Sequence, residues 1–168
     1  IGATGALGMA QAAQQASEAT FHQQVAAAAA LLGGTRPTAQ NLFAGIQVVL
    51  DAIEGCGEHV GRAREAARAA AIAFADADAD ACATIGRHGA PLFEDGMGVA
   101  THCNAGWLAF VDWGSALAPI YAAHRAGRRL HVWVDETRPR SQGAKLTAFE
   151  LGQEGVPHSL IADVSLAA

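Results

Sequence analysis

Three short strand-like runs in the second half of the chain constrain its fold more than any other feature. They read VATHC from Val99, RLHVWVDE from Arg129 and PHSLIAD from Pro157. Each of the two segments between them, GSALAPIYAAHRAG and SQGAKLTAFELGQEG, is long enough to form a helix. Strands separated by helices of this length pair in parallel through right-handed crossovers. The sequence therefore predicts an α/β region built on a parallel βαβαβ unit.

The sequence before Pro91 is predicted to be helical. Residues 8–32 are rich in strong helix formers and are followed by two glycines that favour a helix end. The segment that starts at Thr38 places four apolar side chains on one helical face: Leu42, Ile46, Val49 and Ile53. A third and longer helical stretch covers residues 57–89. We therefore expect a helical amino-terminal region over residues 1–91 and a second region over residues 97–168.

Composition excludes several classes of function. The net charge is −5 and the basic residues are scattered, whereas a protein that binds nucleic acid needs a clustered basic surface. The longest alanine-rich apolar run, VAAAAALL, is too short to cross a bilayer. The three cysteines form no CxxC pair, so neither a disulfide framework nor a thiolate zinc site is indicated. A protein of the reducing cytoplasm, with no nucleic-acid or membrane partner, is expected.

Two cofactor patterns are not supported by the sequence. Asp76, Asp78 and Asp80 alternate with alanines, and a period of two does not place three carboxylates on one helical face. We interpret them as ordinary polar helix positions and predict no metal site. No G-x-G-x-x-G motif follows the first strand, so a dinucleotide-binding version of the fold is not indicated.

Chemically useful side chains follow each predicted strand. The first strand ends at Cys103, between His102 and Asn104; the second ends at Asp135 and the third at Asp163. In an open parallel sheet, the crevice outside the carboxyl ends of the strands is the usual ligand site. Plain structural roles are the alternative: a capping role for Asp163, an ion pair for Asp135, or a buried Cys103. The coincidence of three such strand ends favours a functional site.

Cys103 is a candidate for proton transfer. A thiolate can act as a nucleophile, a metal ligand or a base. In a Cys-His hydrolase the base lies beside the sulfur, whereas His102 on a strand would point to the opposite face from Cys103. Cys103 together with a carboxylate from another strand fits a reaction that moves protons at two adjacent carbons.

Two loops have the features of phosphate-binding loops. GGTRPTAQN, residues 33–41, combines a glycine turn, Arg36 and a proline ahead of a helix, whose free N–H groups attract anions. TRPRSQG, residues 137–143, repeats the pattern and places Gln142 at the start of a helix. Ordinary helix capping with surface arginines is the alternative for either loop. The pair of loops indicates a phosphorylated ligand.

The motifs GTRPTAQNL, THCNAG, VDETRPRSQGAKLTAFEL and GVPHSLIAD resemble those of the methylthioribose-1-phosphate isomerase family. That superfamily also contains ribose-1,5-bisphosphate isomerases and the regulatory subunits of a eukaryotic translation-initiation exchange factor. The resemblance implies a helical domain followed by a Rossmann-like domain, a homodimer, and no metal or organic cofactor. It implies conversion of an aldose 1-phosphate into the ketose 1-phosphate in methionine salvage.

The resemblance also implies roles for individual residues. Cys103 and Asp163 would be catalytic, with Asp163 as the acid that helps the ring oxygen leave and Cys103 as a base for a proton-transfer route. Arg36 and Gln142 would hold the substrate phosphate, and Asn104 would be a further substrate-binding residue. The sequence does not decide between proton and hydride transfer or which 5-substituent is accepted.

The sequence departs from the family pattern at both ends. Family members have an Arg-Gly-Ala-Pro motif ahead of the segment that resembles IGATGALGMA, and they continue the sheet well beyond the aspartate that corresponds to Asp163. The comparison implies an incomplete catalytic domain. Two alternatives to an active isomerase follow: a non-catalytic relative that senses a sugar phosphate or nucleotide, and an inactive fragment of the isomerase.

Overall fold

The chain folds as two compact units, Ile1–Asp78 and Ala79–Ala168. The computed structural model describes residues 1–38 and 40–167. The boundary between the units falls within a long helix, α4 (Val60–Gly89). No helix among the described residues combines the length and the apolar character needed to cross a membrane.

The first unit is helical, as predicted. Besides the first part of α4, its helices are α1 (Gly2–Gln15), α2 (Phe21–Gly33) and α3 (Gln40–Glu54). The four apolar side chains of α3 that were expected on one face are all buried. Helix α3 packs closely on α1, since a Cβ at Gly45 would collide with the carbonyl of Gly2. Thr38, the expected start of α3, lies outside the helix, and Ala39 lies outside the described residues.

The prediction of one helix over residues 8–32 was wrong. Helix α1 ends at Gln15, Ala16 is extended with ψ 138°, and a short 3-10 turn covers Glu18–Thr20 before α2 begins. The guanidinium of Arg64, on α4, donates to the carbonyls of Ala13 and Ala16 at 3.3 and 2.7 Å. The carbonyl groups in the last turn of a helix have no hydrogen-bond donor within the helix, and Arg64 supplies donors for two of them. The break is therefore stabilised by a residue distant in sequence.

The second unit contains the predicted βαβαβ arrangement. The strands are β1 (Gly98–Thr101), β2 (His131–Asp135) and β3 (His158–Ile161), all parallel and in the order β1-β2-β3. The connecting helices are α5 (Ala118–Arg125) and α6 (Ala148–Gln153), and a π-helical turn, Gly143–Thr147, precedes α6. The α/β fold class is confirmed.

The register of the sheet brings three chain segments to one edge. Thr101 pairs with Val134, and Asp135 pairs with Ile161. The chain therefore leaves β1, β2 and β3 at neighbouring points. Val132 and Val134 are fully buried in the core of this unit, together with Tyr121 and Leu151. The core holds the strands in place, and the segments after them are free to carry polar side chains.

Candidate active site

The backbone at this edge of the sheet adopts an unusual conformation. Cys103, Thr137 and Ser141 have φ angles of 62°, 61° and 60°, in the left-handed region that residues with a side chain seldom adopt. Strained backbone of this kind is concentrated at functional sites, where the surrounding structure holds it. The conformation supports a functional site at this edge.

The backbone of Cys103 is fixed by two threonine hydroxyls. Its N–H donates to Oγ1 of Thr137 at 2.8 Å, and its carbonyl accepts from Oγ1 of Thr147 at 2.6 Å. Strand β1 ends at Thr101, so Cys103 belongs to the loop after the strand. Cys103 is half-buried, and its thiol takes no part in these bonds. The structure thus fixes the position of Cys103 without engaging its sulfur.

Glu150, which the sequence analysis did not single out, holds the loop that follows Cys103. Its side chain is fully buried on α6. It accepts hydrogen bonds from the N–H groups of Trp107 and Leu108, from the amide of Asn104 and from the hydroxyl of Tyr121. Burial, together with the nearby Glu150 carboxylate, raises the pKa of Tyr121 above its usual range. In the sequence, Glu150 looks like an ordinary polar helix residue.

We expect Glu150→Ala to destabilise the protein strongly. The change leaves one buried donor, the Tyr121 hydroxyl, and three partly buried N–H groups without this acceptor. A buried donor without an acceptor costs about 1–3 kcal/mol, so a total of about 3 kcal/mol is expected. Urea unfolding measures the effect. Glu154→Ala is the matched control: Glu154 makes a surface ion pair with Arg125, and its loss should cost less than about 1 kcal/mol. An equal loss of unfolding free energy in the two variants would contradict the anchoring role of Glu150.

Asp163 follows β3 and is bound by the loop after β2. Its two carboxylate oxygens accept the N–H groups of Thr137 and Arg138 at 2.7 and 2.8 Å. These two backbone hydrogen bonds lower the pKa of Asp163, and the nearby His102 and the Arg138 side chain lower it further. Asp163 is therefore a carboxylate at neutral pH in the unliganded protein. This state differs from the protonated acid that the resemblance implies.

His102 forms a cluster with two aspartates. Its Nδ1 lies 2.9 Å from Oδ2 of Asp135, whose side chain is only 3% exposed. One ring nitrogen of His102 and one oxygen each from Asp135 and Asp163 lie within 4.8 Å of one another. Because β1 ends at Thr101, the alternation of a strand no longer governs where His102 points. The expectation that His102 takes the opposite side of a strand therefore does not apply.

Several of the possible ligand atoms in this cluster are already engaged in hydrogen bonds. Both oxygens of Asp163 already accept backbone N–H groups, and His102 Nδ1 already meets Asp135. We assign no metal to these residues, and a reaction without metal or cofactor stays a prediction.

The structure places the three expected substrate-binding residues in different settings. Gln142 precedes the π-helical turn, as expected for a residue at a helix start. Both amide hydrogens of Asn104 are used internally, by Thr147 and Glu150, so a substrate contact would involve its carbonyl oxygen. Arg36 is half-buried and belongs to the first unit, between α2 and α3. Their binding roles stay predictions.

Comparison with known proteins gives a family match over the whole chain. The model of the "Initiation factor 2 subunit family" matches residues 1–168. A protein of Methylorubrum extorquens named methylthioribose-1-phosphate isomerase is 52% identical over 97% of this chain and 45% of its own length. The protein of the same name in Dechloromonas aromatica is 50% identical, with the same coverage of 97% and 45%.

Solved structures agree with the sequence comparison. The 5-methylthioribose 1-phosphate isomerase of Pyrococcus horikoshii has a TM-score of 0.87 and 32% identity, over 98% of this chain and 47% of that one. The translation initiation factor eIF-2B subunit delta of A. fulgidus has a TM-score of 0.82 and 41% identity, over 97% of this chain and 48% of that one. The chain spans about half the length of the relatives that it matches.

Proposed function

This chain belongs to the initiation factor 2 subunit family, and we propose that the protein isomerises 5-methylthioribose 1-phosphate, or a related 5-deoxyribose 1-phosphate, to the ribulose 1-phosphate. One observation carries the proposal: Thr137 joins the thiol-bearing residue to the carboxylate. Its hydroxyl accepts the N–H of Cys103, and its own N–H donates to Asp163. Identity of about 50% to proteins named methylthioribose-1-phosphate isomerase supports the assignment.

The chemistry of this reaction accounts for a thiol and a carboxylate in one site. A phosphate on the anomeric oxygen prevents free ring opening, so the bond from C1 to the ring oxygen must be broken with the help of an acid. One hydrogen then moves from C2 to C1, as a proton or as a hydride. The C2 hydroxyl loses a proton and becomes the ketone. General acid–base groups accelerate such steps by roughly 10²–10⁴-fold each.

We assign the two central roles to Cys103 and Asp163. As a carboxylate, Asp163 is suited to accept the proton of the C2 hydroxyl, because an ionised acid cannot donate one. Cys103, whose backbone is linked to Asp163 through Thr137, would handle the hydrogen at C2 in a proton-transfer route. Arg36 and Gln142 would bind the phosphate, with Asn104 at the sugar. We further propose a cytoplasmic homodimer that needs no cofactor and acts in methionine salvage.

A second candidate function is sensing without catalysis. The structural likeness to a protein titled translation initiation factor eIF-2B subunit delta, at 41% identity, favours it. A sensor would bind a sugar phosphate or nucleotide and leave it unchanged. Cys103 and Asp163, which Thr137 joins, favour the isomerase, because binding alone requires neither a thiol nor a carboxylate.

Incubation with 5-methylthioribose 1-phosphate tests the proposal directly. The complete product of the natural gene is used, and carbon-13 NMR follows the appearance of the C2 ketone. We expect conversion of this substrate and no conversion of 5-methylthioribose without the phosphate. Binding in calorimetry without conversion would favour the sensor instead. An absence of both binding and conversion would overturn the isomerase and also a sensor of this sugar phosphate.

Loss of the Arg36 guanidinium should mainly weaken substrate binding. A charge-assisted hydrogen bond to phosphate contributes about 1.5–3 kcal/mol, so Arg36→Ala should raise KM roughly 10- to 100-fold. Steady-state kinetics on the complete gene product measure this. Arg68→Ala, which removes an exposed arginine of α4, is the control and should leave KM unchanged. An unchanged KM in Arg36→Ala would remove Arg36 from the phosphate site.

A further inference from the structure

The proposed reaction needs a proton donor that Asp163 does not supply. Both of its oxygens accept backbone N–H groups, and its pKa is lowered, so it enters the reaction as a carboxylate. The ring oxygen nevertheless has to gain a proton when its bond to C1 breaks. Another group in the same place must therefore provide the proton.

His102 has the position and the chemistry of that group. An imidazole can gain and lose a proton near neutral pH. The side chain is 60% exposed at the edge of the sheet where Cys103 and Asp163 lie, so a bound substrate can reach it. Its Nδ1 faces the buried carboxylate of Asp135, and since a carboxylate is an acceptor, Nδ1 carries the hydrogen of that bond. Nε2 is then the nitrogen available to a ligand.

Asp135 is placed to orient the ring. Its Oδ1 is buried and has no hydrogen-bond partner among the described residues. The hydrogen bond between Oδ2 and His102 is therefore the contact that offsets the cost of burying the carboxylate. A buried carboxylate that is left without a partner is costly. The contact therefore favours one direction of the ring, with Nδ1 towards Asp135 and Nε2 away from it.

We propose that His102 donates the proton that opens the sugar ring, with Asp135 as its positioning residue. This inference rests on the proposed isomerase function. The bond between C1 and the ring oxygen breaks, its electron pair goes to the oxygen, and the oxygen takes a proton from Nε2 of His102. The hydrogen that C2 loses is the one that C1 gains, so this transfer neither adds hydrogen to the substrate nor removes it. The C2 hydroxyl gives its proton to Asp163 as the ketone forms.

The distance within the cluster explains how the site returns to its starting state. After the reaction His102 has lost one proton and Asp163 has gained one. One ring nitrogen of His102 and one oxygen of Asp163 lie no more than 4.8 Å apart, a separation that one water can bridge to return the proton to the ring. Asp135, Asp163 and the Arg138 side chain are the charged groups that bear on this exchange. No net proton is consumed, and no co-reactant is needed.

Three variants of the complete gene product test the role of His102. In His102→Ala we expect kcat to fall roughly 100-fold or more, with KM within about threefold of the wild type. His102→Asn keeps an amide N–H in the place of Nδ1 but cannot donate a proton, so it should be as slow as the alanine variant. His88→Ala, which removes an exposed histidine of α4, is the control and should retain full turnover.

Asp135→Asn tests whether Asp135 acts through His102 or independently of it. Alone it should lower kcat roughly tenfold or more. In the His102→Ala background it should add less than about twofold, because Asp135 acts through His102. Circular dichroism checks that each variant is folded.

Three outcomes would overturn the proposal. They are normal turnover in His102→Asn, an effect of His102→Ala on KM alone, and additive effects of the His102 and Asp135 changes on kcat. If the wild type does not convert the substrate, the isomerase function itself is wrong, and this inference with it.

Discussion

Replacing Cys103 with serine should lower turnover by roughly 10³-fold while the protein stays folded. A serine hydroxyl is far less acidic than a thiol, so the variant loses the acid–base chemistry of the sulfur. The fold should persist because both hydrogen bonds that fix Cys103 involve its backbone. Serine is also similar in size to cysteine. Turnover of 5-methylthioribose 1-phosphate and the thermal unfolding midpoint are the two measurements.

Cys56→Ser is the matched control for this variant. Cys56 is half-buried in the first unit, and its thiol donates to the carbonyl of Ala52 at 3.4 Å, a bond that a serine hydroxyl can replace. The control should therefore keep both turnover and stability. If Cys103→Ser retains turnover near that of Cys56→Ser, Cys103 is a structural residue and the proposed mechanism is wrong.

Asp163→Asn should also reduce turnover by roughly 10²–10³-fold. The amide cannot accept the proton of the C2 hydroxyl. In addition, asparagine places an N–H group against either Thr137 or Arg138, whose own N–H groups both need an acceptor. The variant is therefore expected to loosen the loop that carries Thr137 and, through it, the backbone of Cys103.

The cost of Asp163→Asn to stability should depend on pH. Because the folded protein lowers the pKa of Asp163, its carboxylate contributes stability above the ordinary carboxyl range. That contribution begins to decline as the pH reaches the ordinary carboxyl pKa of about 4 and is lost as the pH falls further, through the lower folded-state pKa. The wild type and the variant should therefore converge in stability only below that range. Thermal unfolding at neutral and acidic pH measures the difference.

Asp95→Asn provides the control for that experiment. Asp95 accepts the backbone N–H and the guanidinium of Arg129, and these bonds lower its pKa in the same direction. We expect Asp95→Asn to show a similar trend of stability with pH but full turnover. Normal turnover in Asp163→Asn would contradict the assigned role of Asp163, whatever the stability data show.

Much of the fold was predictable from the sequence because its signals are local. The apolar face of α3 follows from spacing alone, and all four expected residues are buried. The parallel βαβαβ order follows from runs of strand and helix length, since the connections permit few other topologies. The break after α1 was not predictable. It depends on Arg64, which lies far from Ala16 in the sequence but caps it in space.

The sequence by itself determined which chemical groups stand at the strand ends: a thiol, an imidazole and two carboxylates after three parallel strands. Only the tertiary structure decided their states and partners. The N–H groups that keep Asp163 ionised, the pairing of His102 with Asp135, and the anchoring of the Cys103 loop by Glu150 join residues that lie more than 20 positions apart. Hydrogen bonds of this kind depend on the approach of separate segments, and no local pattern in the chain encodes them.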